Sequence, residues 1–125
     1  MKFPDKLDVL TIHARLIEET GGSSGLRDHG SLESALAAAE NRYNYENADV
    51  IACAATYAFH LTQAHAFVDG NKRIAAAITE VFLESNGSEL MMTNGEIVQL
   101  FMNIAAGRLT REDVEKQLRS TSGSK

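Results

Sequence analysis

Residues 65–73, HAFVDGNKR, bring several reactive side-chain types together in one short segment. His65 opens it, and histidine is the side chain that most readily accepts a proton near neutral pH. Asp69 offers a carboxylate, a ligand type that Mg²⁺ prefers in proteins. A glycine, an amide, a lysine and an arginine follow at once. This combination could bind phosphate oxygens and take a proton from a hydroxyl group beside them.

Lys72 and Arg73 stand where the next helix is predicted to begin. The N-terminus of a helix is the positive end of its dipole, so an exposed cation there costs roughly 0.3–1 kcal/mol. The same end carries free N–H groups that bind anions. Phosphate oxygens at this position would make the dipole and both cations act together. The segment therefore predicts phosphoryl or nucleotidyl transfer, with Mg²⁺ held by Asp69 and His65 as the proton acceptor.

A purely structural interpretation of the same segment stays open on residue types alone. A connection between two helices needs a turn and a cap, and residues 69–71, DGN, provide both. Phe67 would then anchor the loop in the core, and His65 would be a hydrogen-bonded histidine at a helix end. The segment also lacks the upstream glycine and the following Ser or Thr of a P-loop.

Outside the segment, the sequence offers few further candidates. His13 and His29 are predicted to be surface or loop histidines, and His60 a residue at the edge of the core that could orient the loop. His60 and His65 lie five positions apart, so they do not share a helical face as a zinc-binding pair would. Cys53 lies in an apolar run and is predicted to be buried rather than catalytic.

Composition narrows the classes of protein to consider. The chain has 125 residues and a net charge of −5, so non-specific binding to nucleic acid is not expected. The low-charge run at 50–68 contains two histidines and a glutamine, which disfavour a membrane span. The N-terminal MKFPDKLDVL does not resemble a signal peptide. A lone cysteine excludes an internal disulfide and suits a reducing compartment, so we expect a cytoplasmic protein.

Helical spacing of apolar residues is found along the whole chain, and strand-like alternation is hard to find. The fold class predicted is all-α, with about six helices around a buried central helix at 48–64. Helices are expected at about 5–20, from a Ser31 cap, at 48–64, from the loop to 86–87, from an Asn94 cap to Gly107, and from a Thr110–Asp113 capping box through Leu118. Residues 1–125 are predicted to form a single domain, with 119–125 as a frayed tail.

The segment resembles the motif of the Fic/Doc family, in the variant of the Doc (death on curing) toxins of toxin–antitoxin systems. That pattern is histidine, any residue, phenylalanine, any residue, Asp or Asn, a small residue, and then Asn-Lys-Arg. It is matched without a break by His65, Phe67, Asp69, Gly70, Asn71, Lys72 and Arg73. The stretches GLRDHGSLESALA, ATYAFHL and FLESNG are also similar to Doc.

The resemblance implies a Fic fold and a kinase that uses ATP and Mg²⁺. Most Fic enzymes transfer AMP, but here Lys72 replaces a glycine and Ala76 replaces an arginine of their motif. Doc-type toxins instead place the γ-phosphate in the loop and phosphorylate a threonine of elongation factor Tu, which arrests translation. His65 is implied to be the catalytic base and Asp69 the Mg²⁺ ligand. Phosphate binding is implied for Gly70, Asn71, Lys72 and Arg73, the last two being catalytic as well.

The resemblance also implies a partner. Many Fic proteins carry an inhibitory helix with Ser or Thr four residues before a Glu that precedes Gly or Asn. Leu36 and Arg42 occupy that position before the two Glu-Asn pairs of this chain, so no such helix is expected. A cognate Phd-type antitoxin is then the implied inhibitor. Transfer of AMP by the same loop and a non-catalytic Fic-fold binding module remain the alternatives.

Overall fold

The computed structural model describes residues 1–124, which form six α-helices and two short strands. The predicted all-α class is confirmed, with the addition of one small antiparallel sheet. In chain order the elements are α1 (Lys6–Thr20), α2 (His29–Glu46), α3 (Val50–Ala64), α4 (Asn71–Ser85), β1 (Ser88–Leu90), α5 (Asn94–Ala105), α6 (Arg111–Thr121) and β2 (Ser122–Ser124).

Helix α3 is the central helix, as its apolar sequence predicted. Every side chain from Ala52 to Ala58 is buried, and α2, α4, α5 and α6 all pack against α3. Many of these residues are alanines, so neighbouring helices can approach closely. Cys53 is buried and free, as expected. Because α3 is held on several sides, the loop that leaves its C-terminus starts from a fixed point.

The starts of the helices follow side-chain caps. The predicted capping box of Thr110 and Asp113 opens α6. Asp28 rather than Ser31 caps α2, since its carboxylate accepts the Ser31 N–H at 3.0 Å. Thr93 caps α5, one residue earlier than expected. These shifts of one to three residues leave the predicted helices in place.

The buried face of α1 consists of Val9, His13 and Ile17, which are spaced four residues apart. Leu7, an apolar residue of the same helix, is 71% exposed. The buried face of α1 thus turns a histidine toward the interior, close to the loop between α3 and α4.

The prediction of a frayed tail is wrong for residues 119–124. Helix α6 continues to Thr121, whose carbonyl accepts the N–H of Met91. Residues 122–124 then pair with β1 in an antiparallel register. Strands of three residues are too short for an alternating pattern to reveal them. Lys125 lies outside the described residues.

Within residues 1–124, no helix is both long enough and apolar enough to cross a membrane.

Candidate active site

The loop between α3 and α4 begins at His65, whose backbone is left-handed, with φ 47° and ψ 42°. A histidine in this region is uncommon and needs support from its surroundings. That support comes from the segment before α2. The Arg27 guanidinium donates to the His65 carbonyl at 2.6 Å, and the N–H groups of Arg27 and Asp28 donate to the Ala66 carbonyl. The His65 side chain remains exposed while its backbone is fixed.

Phe67 and Asn71 close the loop on its inner side. Phe67 is buried and forms a bridge with Leu26, as expected for a core anchor. The Asn71 amide accepts the Phe67 N–H and donates to the Phe67 carbonyl, both at 3.0 Å. Both polar atoms of this side chain therefore serve the loop itself. Binding of phosphate by Asn71 would rely on its backbone N–H.

Gly70 starts α4 from a left-handed conformation, with φ 76°. The first intrahelical bond of α4 runs from the Ile74 N–H to the Gly70 carbonyl. The N–H groups before it, at residues 71–73, have no partner in the preceding turn. No side chain among the described residues caps this end. The start of α4 therefore presents free donors, as the sequence predicted.

The Asp69 carboxylate lies beside these donors. It accepts the N–H of Gly70 at 2.8 Å and that of Ser23 at 3.3 Å, and Arg73 lies 3.6 Å away. The hydrogen bond from Gly70 is the main reason why the pKa of Asp69 lies below its ordinary value, followed by the bond from Ser23. A Cβ at Gly22 would collide with Oδ2 of Asp69, so the segment before α2 lies directly over the carboxylate.

A magnesium ion fits the donor set at this position. Mg²⁺ takes hard oxygen ligands and is commonly held by one or two carboxylates plus substrate phosphates and water. The Asp69 side chain is ionised and 47% exposed, and each carboxylate oxygen keeps a lone pair beyond the bonds described above. Residues 1–124 hold no cluster of three or more His, Cys, Asp or Glu side chains suited to a metal. The remaining ligands would therefore come from phosphate and water.

The two cations at the start of α4 have different surroundings. Arg73 donates to the Thr20 hydroxyl and, at 2.9 Å, to the Gly21 carbonyl, besides its ion pair with Asp69. Lys72 is exposed and has no hydrogen bond or ion pair within residues 1–124. Asp69 therefore partly neutralises Arg73. Lys72 is the cation that stays available.

The six predicted site residues line one pocket of about 230 Å³. Thr62 at the end of α3, Val68 of the loop and Ala105 at the end of α5 complete its wall. The pocket thus joins a proton acceptor, a carboxylate, free N–H groups and two cations. Such a site can hold a phosphorylated ligand next to a base. The predicted residues are His65, Asp69, Gly70, Asn71, Lys72 and Arg73.

The prediction that His13 is a surface or loop histidine is wrong, and its place beside the site was not predicted. This side chain is buried, and its Nε2 lies 2.7 Å from the Asp69 carbonyl oxygen. Its ring stacks on Phe67 with the centroids 3.8 Å apart. The signal was present in the four-residue spacing from Val9 to Ile17, which includes position 13.

The other two histidines lie away from the pocket. His29 is exposed and contacts Lys6, as a surface residue should. His60 is half-buried at the edge of the core, as predicted, and burial lowers its pKa. Its Nε2 is buried without a hydrogen-bond partner in residues 1–124, and His60 does not line the pocket of the loop. A role of His60 in orienting the loop finds no support in these contacts.

Comparisons with known proteins cover the sequence that forms this loop. Residues 3–83, which include the whole loop, match the model of the Fic/DOC family. A protein of Escherichia phage P1 named protein kinase doc is 30% identical over 118 residues, which cover 94% of this chain and 93% of the phage protein. The resemblance drawn from the HAFVDGNKR motif is confirmed, and the chain belongs to the Fic/DOC family.

Proposed function

We propose that this protein is a Doc-like toxin kinase. It transfers the γ-phosphate of ATP to a threonine hydroxyl of a translation factor, elongation factor Tu, and thereby arrests translation and growth. The observation that carries this proposal is the single pocket in which the exposed His65 faces a helix N-terminus with a free Lys72. Similarity to a protein named as a kinase supports the same reaction.

His65 acts as the base for the attacking hydroxyl. Its backbone is held by Arg27, while its side chain is exposed at the pocket and can reach a hydroxyl presented by a protein substrate. Proton removal lets the hydroxyl oxygen form a bond to the γ-phosphorus as the bond to the β-phosphate oxygen breaks. ADP is the leaving group, and the proton stays on the imidazole.

Lys72 and the N–H groups at the start of α4 bind the transferred phosphoryl group. Lys72 gives up no hydrogen bond or ion pair when it binds phosphate, because it has none within residues 1–124. Arg73 can contribute charge while its bonds to Thr20 and Gly21 fix its position. Asp69 would hold Mg²⁺, which when bound neutralises charge on the phosphate oxygens.

Two departures from the AMP-transferring motif support phosphate transfer rather than AMP transfer. Lys72 fills space at the start of α4 where those relatives have glycine, and its side chain lines the pocket. Ala76, which lies one turn further along α4, cannot supply the guanidinium that their second arginine provides. A site with this crowding and this charge suits a terminal phosphoryl group better than an internal phosphate.

We also propose a cytoplasmic location and a cognate Phd-type antitoxin as the inhibitor. Both follow from the Doc-like reaction, since a toxin that acts on translation must meet its target and be neutralised in the same compartment. Direct binding to nucleic acid is not part of the proposal, because the chain carries a net charge of −5.

The proposal is tested by incubating the protein with elongation factor Tu, ATP and Mg²⁺ and measuring the intact mass of the target. We expect a gain the size of one phosphate, located on a threonine by fragmentation. A gain the size of AMP would establish the adenylyltransferase alternative. No mass change on the target or on any protein of a bacterial lysate would favour a non-catalytic binding module. A His65→Ala sample processed in parallel is the matched control.

A further inference from the structure

His13 is a polar side chain that is 3% exposed, and it reaches from α1 to the loop. It makes two contacts with the loop. One ring face stacks on Phe67 at an interplanar angle of 16°, and Nε2 lies 2.7 Å from the Asp69 carbonyl oxygen. A carbonyl oxygen only accepts, so Nε2–H is the donor of this hydrogen bond.

The carbonyl that accepts this bond belongs to the peptide group between Asp69 and Gly70, which connects the carboxylate of the site to the start of α4. On one side of it lies the Asp69 carboxylate, and on the other lies Gly70, from which α4 begins. A Cβ at Gly70 would stand 3.5 Å from Nε2 of His13 and 3.1 Å from Cδ1 of Ile17. The buried face of α1 therefore lies directly beneath the turn that sets both the carboxylate and the first N–H groups of α4.

We infer that His13 is a positioning residue for phosphate transfer. Its Nε2–H fixes the Asp69 main chain, so that the carboxylate and the N–H groups of residues 71–73 point into one pocket. The inference rests on the proposed function for the identity of the ligand, but the positioning itself is a property of the free protein. It differs from ordinary core packing, which would need only the shape of the ring.

Side-chain chemistry separates the two roles. His13→Phe keeps the ring that stacks on Phe67 but removes the donor. His13→Gln loses the ring but places an amide nitrogen at a reach similar to that of Nε2. His13→Asn carries the same amide on a shorter chain that cannot reach the carbonyl. Val9→Ala, one turn earlier on the same buried face, is the matched control for a loss of packing in α1.

The first measurement is amide hydrogen exchange in the nucleotide-free protein. We expect His13→Phe and His13→Asn to speed exchange by about tenfold at Phe67, Val68 and Gly70, whose N–H groups are hydrogen-bonded in the loop. His13→Gln should stay near wild type, and Val9→Ala should leave this segment unchanged. The result does not depend on any enzymatic activity, so it decides the inference even if the protein is not a kinase.

The second measurement is phosphate transfer at varied concentrations of Mg²⁺ and ATP. Misplacement of catalytic groups by about 1 Å can cost on the order of a hundredfold, so we expect His13→Phe to lose roughly tenfold to a hundredfold in kcat/KM. His13→Gln should recover most of it. A wild-type protein that transfers no phosphate would overturn the proposed function and leave the exchange result standing.

The inference is overturned if His13→Phe matches wild type in the exchange of Phe67, Val68 and Gly70. It is also overturned if His13→Gln and His13→Asn show the same exchange, because only the glutamine amide can replace the Nε2–H donor. If His13→Phe fails to fold, the comparison of these two variants decides whether the donor is needed. Equal losses in Val9→Ala and the His13 variants would assign His13 to packing alone.

Discussion

The N-termini of α4 and α6 differ in their caps and in the balance of their charges, because the cation that begins α6, Arg111, lies 3.8 Å from the Glu112 carboxylate. Helix α6 begins with a reciprocal capping box between Thr110 and Asp113, and Glu112 adds a second acid in its first turn. Helix α4 begins at Gly70 without a side-chain cap and with no acid in the first turn of Asn71–Ser85. One helix start is satisfied by its own side chains, whereas the other leaves its N–H groups open.

The difference shows how a site for an anion can be recognised before any ligand is seen. Acids near a helix N-terminus are favourable and cations are not. Helix α4 carries Lys72 and Arg73 there, and within residues 1–124 only Arg73 is offset, by Asp69. The open N–H donors of α4 and the Lys72 cation therefore lack a negative partner within residues 1–124, and an external anion would explain their presence.

The largest effect is expected from removing the proposed base. His65→Ala should lower the rate of phosphate transfer by about 10²–10⁴, the usual contribution of general base catalysis. The side chain is exposed and its backbone is held by Arg27, so stability should change little. Transfer is measured with purified elongation factor Tu, and ATP-induced shifts in Tm serve as the control for binding. Wild-type rates in the variant would exclude His65 as the base.

Asp69→Asn comes next in size. The amide oxygen can still accept the Gly70 N–H, but the charge that would hold Mg²⁺ is gone. We expect transfer to fall by at least about tenfold, the loss of one charge-assisted contact. A titration with Mg²⁺ checks this, since the variant should need much more metal. An unchanged dependence on Mg²⁺ would show that Asp69 does not bind the metal and serves only in the turn.

The same variant also has a pH signature. Backbone N–H groups of Gly70 and Ser23 keep the pKa of Asp69 low in the folded protein, so the ionised carboxylate stabilises the fold at neutral pH. That contribution is lost as pH falls through the pKa range of this carboxyl group. Melting curves from neutral to acidic pH should therefore drop less steeply for Asp69→Asn than for wild type.

Variants of Lys72 and Arg73 should differ in their melting temperatures. Arg73→Ala removes bonds to Thr20 and Gly21 and is expected to lower stability by about 1 kcal/mol without nucleotide. Lys72→Ala should hold or slightly raise the Tm, because one cation leaves the positive end of α4. With ATP and Mg²⁺ the Lys72 variant should gain less stability than wild type, as binding stabilises by RT ln(1 + [L]/Kd). Equal responses to ATP in wild type and Lys72→Ala would exclude contact with phosphate.

Much of this arrangement could be predicted because it is local in sequence. The helices follow from apolar periodicity, and the loop follows from a turn between two long helices. The gathering of the candidate residues at one pocket also follows, since they occupy adjacent positions in a single turn. The box at Thr110 and Asp113 was predicted for the same reason, because its partners stand three residues apart.

Contacts between distant segments could not be predicted in this way. The bond from His13 to Asp69 spans 56 residues, and that from Arg27 to His65 spans 38. Pairing of β1 with β2 joins residues 88–90 to 122–124. Each depends on how the helices pack around α3, which a periodic pattern does not specify. The ion pair of Arg73 with Asp69 is local, since the two residues are four positions apart, but it depends on side-chain conformations that the sequence pattern does not specify.

The smallest effect is expected from a change at the N-terminus of α6, the helix that is compared with α4. Thr110→Ala removes the side-chain oxygen that accepts the Asp113 N–H at 3.1 Å, while the bond from the Thr110 N–H to Asp113 can remain. Loss of an N-cap costs typically about 1 kcal/mol, which corresponds to a fall in Tm of roughly 4 °C for a domain of this size. The start of α6 does not line the pocket, so phosphate transfer and the response to ATP should stay at wild-type values. Lys72→Ala should show the reverse pattern, with stability kept and the response to ATP reduced. If Thr110→Ala weakened the response to ATP as much as Lys72→Ala does, that response would track stability alone, and the open N-terminus of α4 would have no special part in binding phosphate.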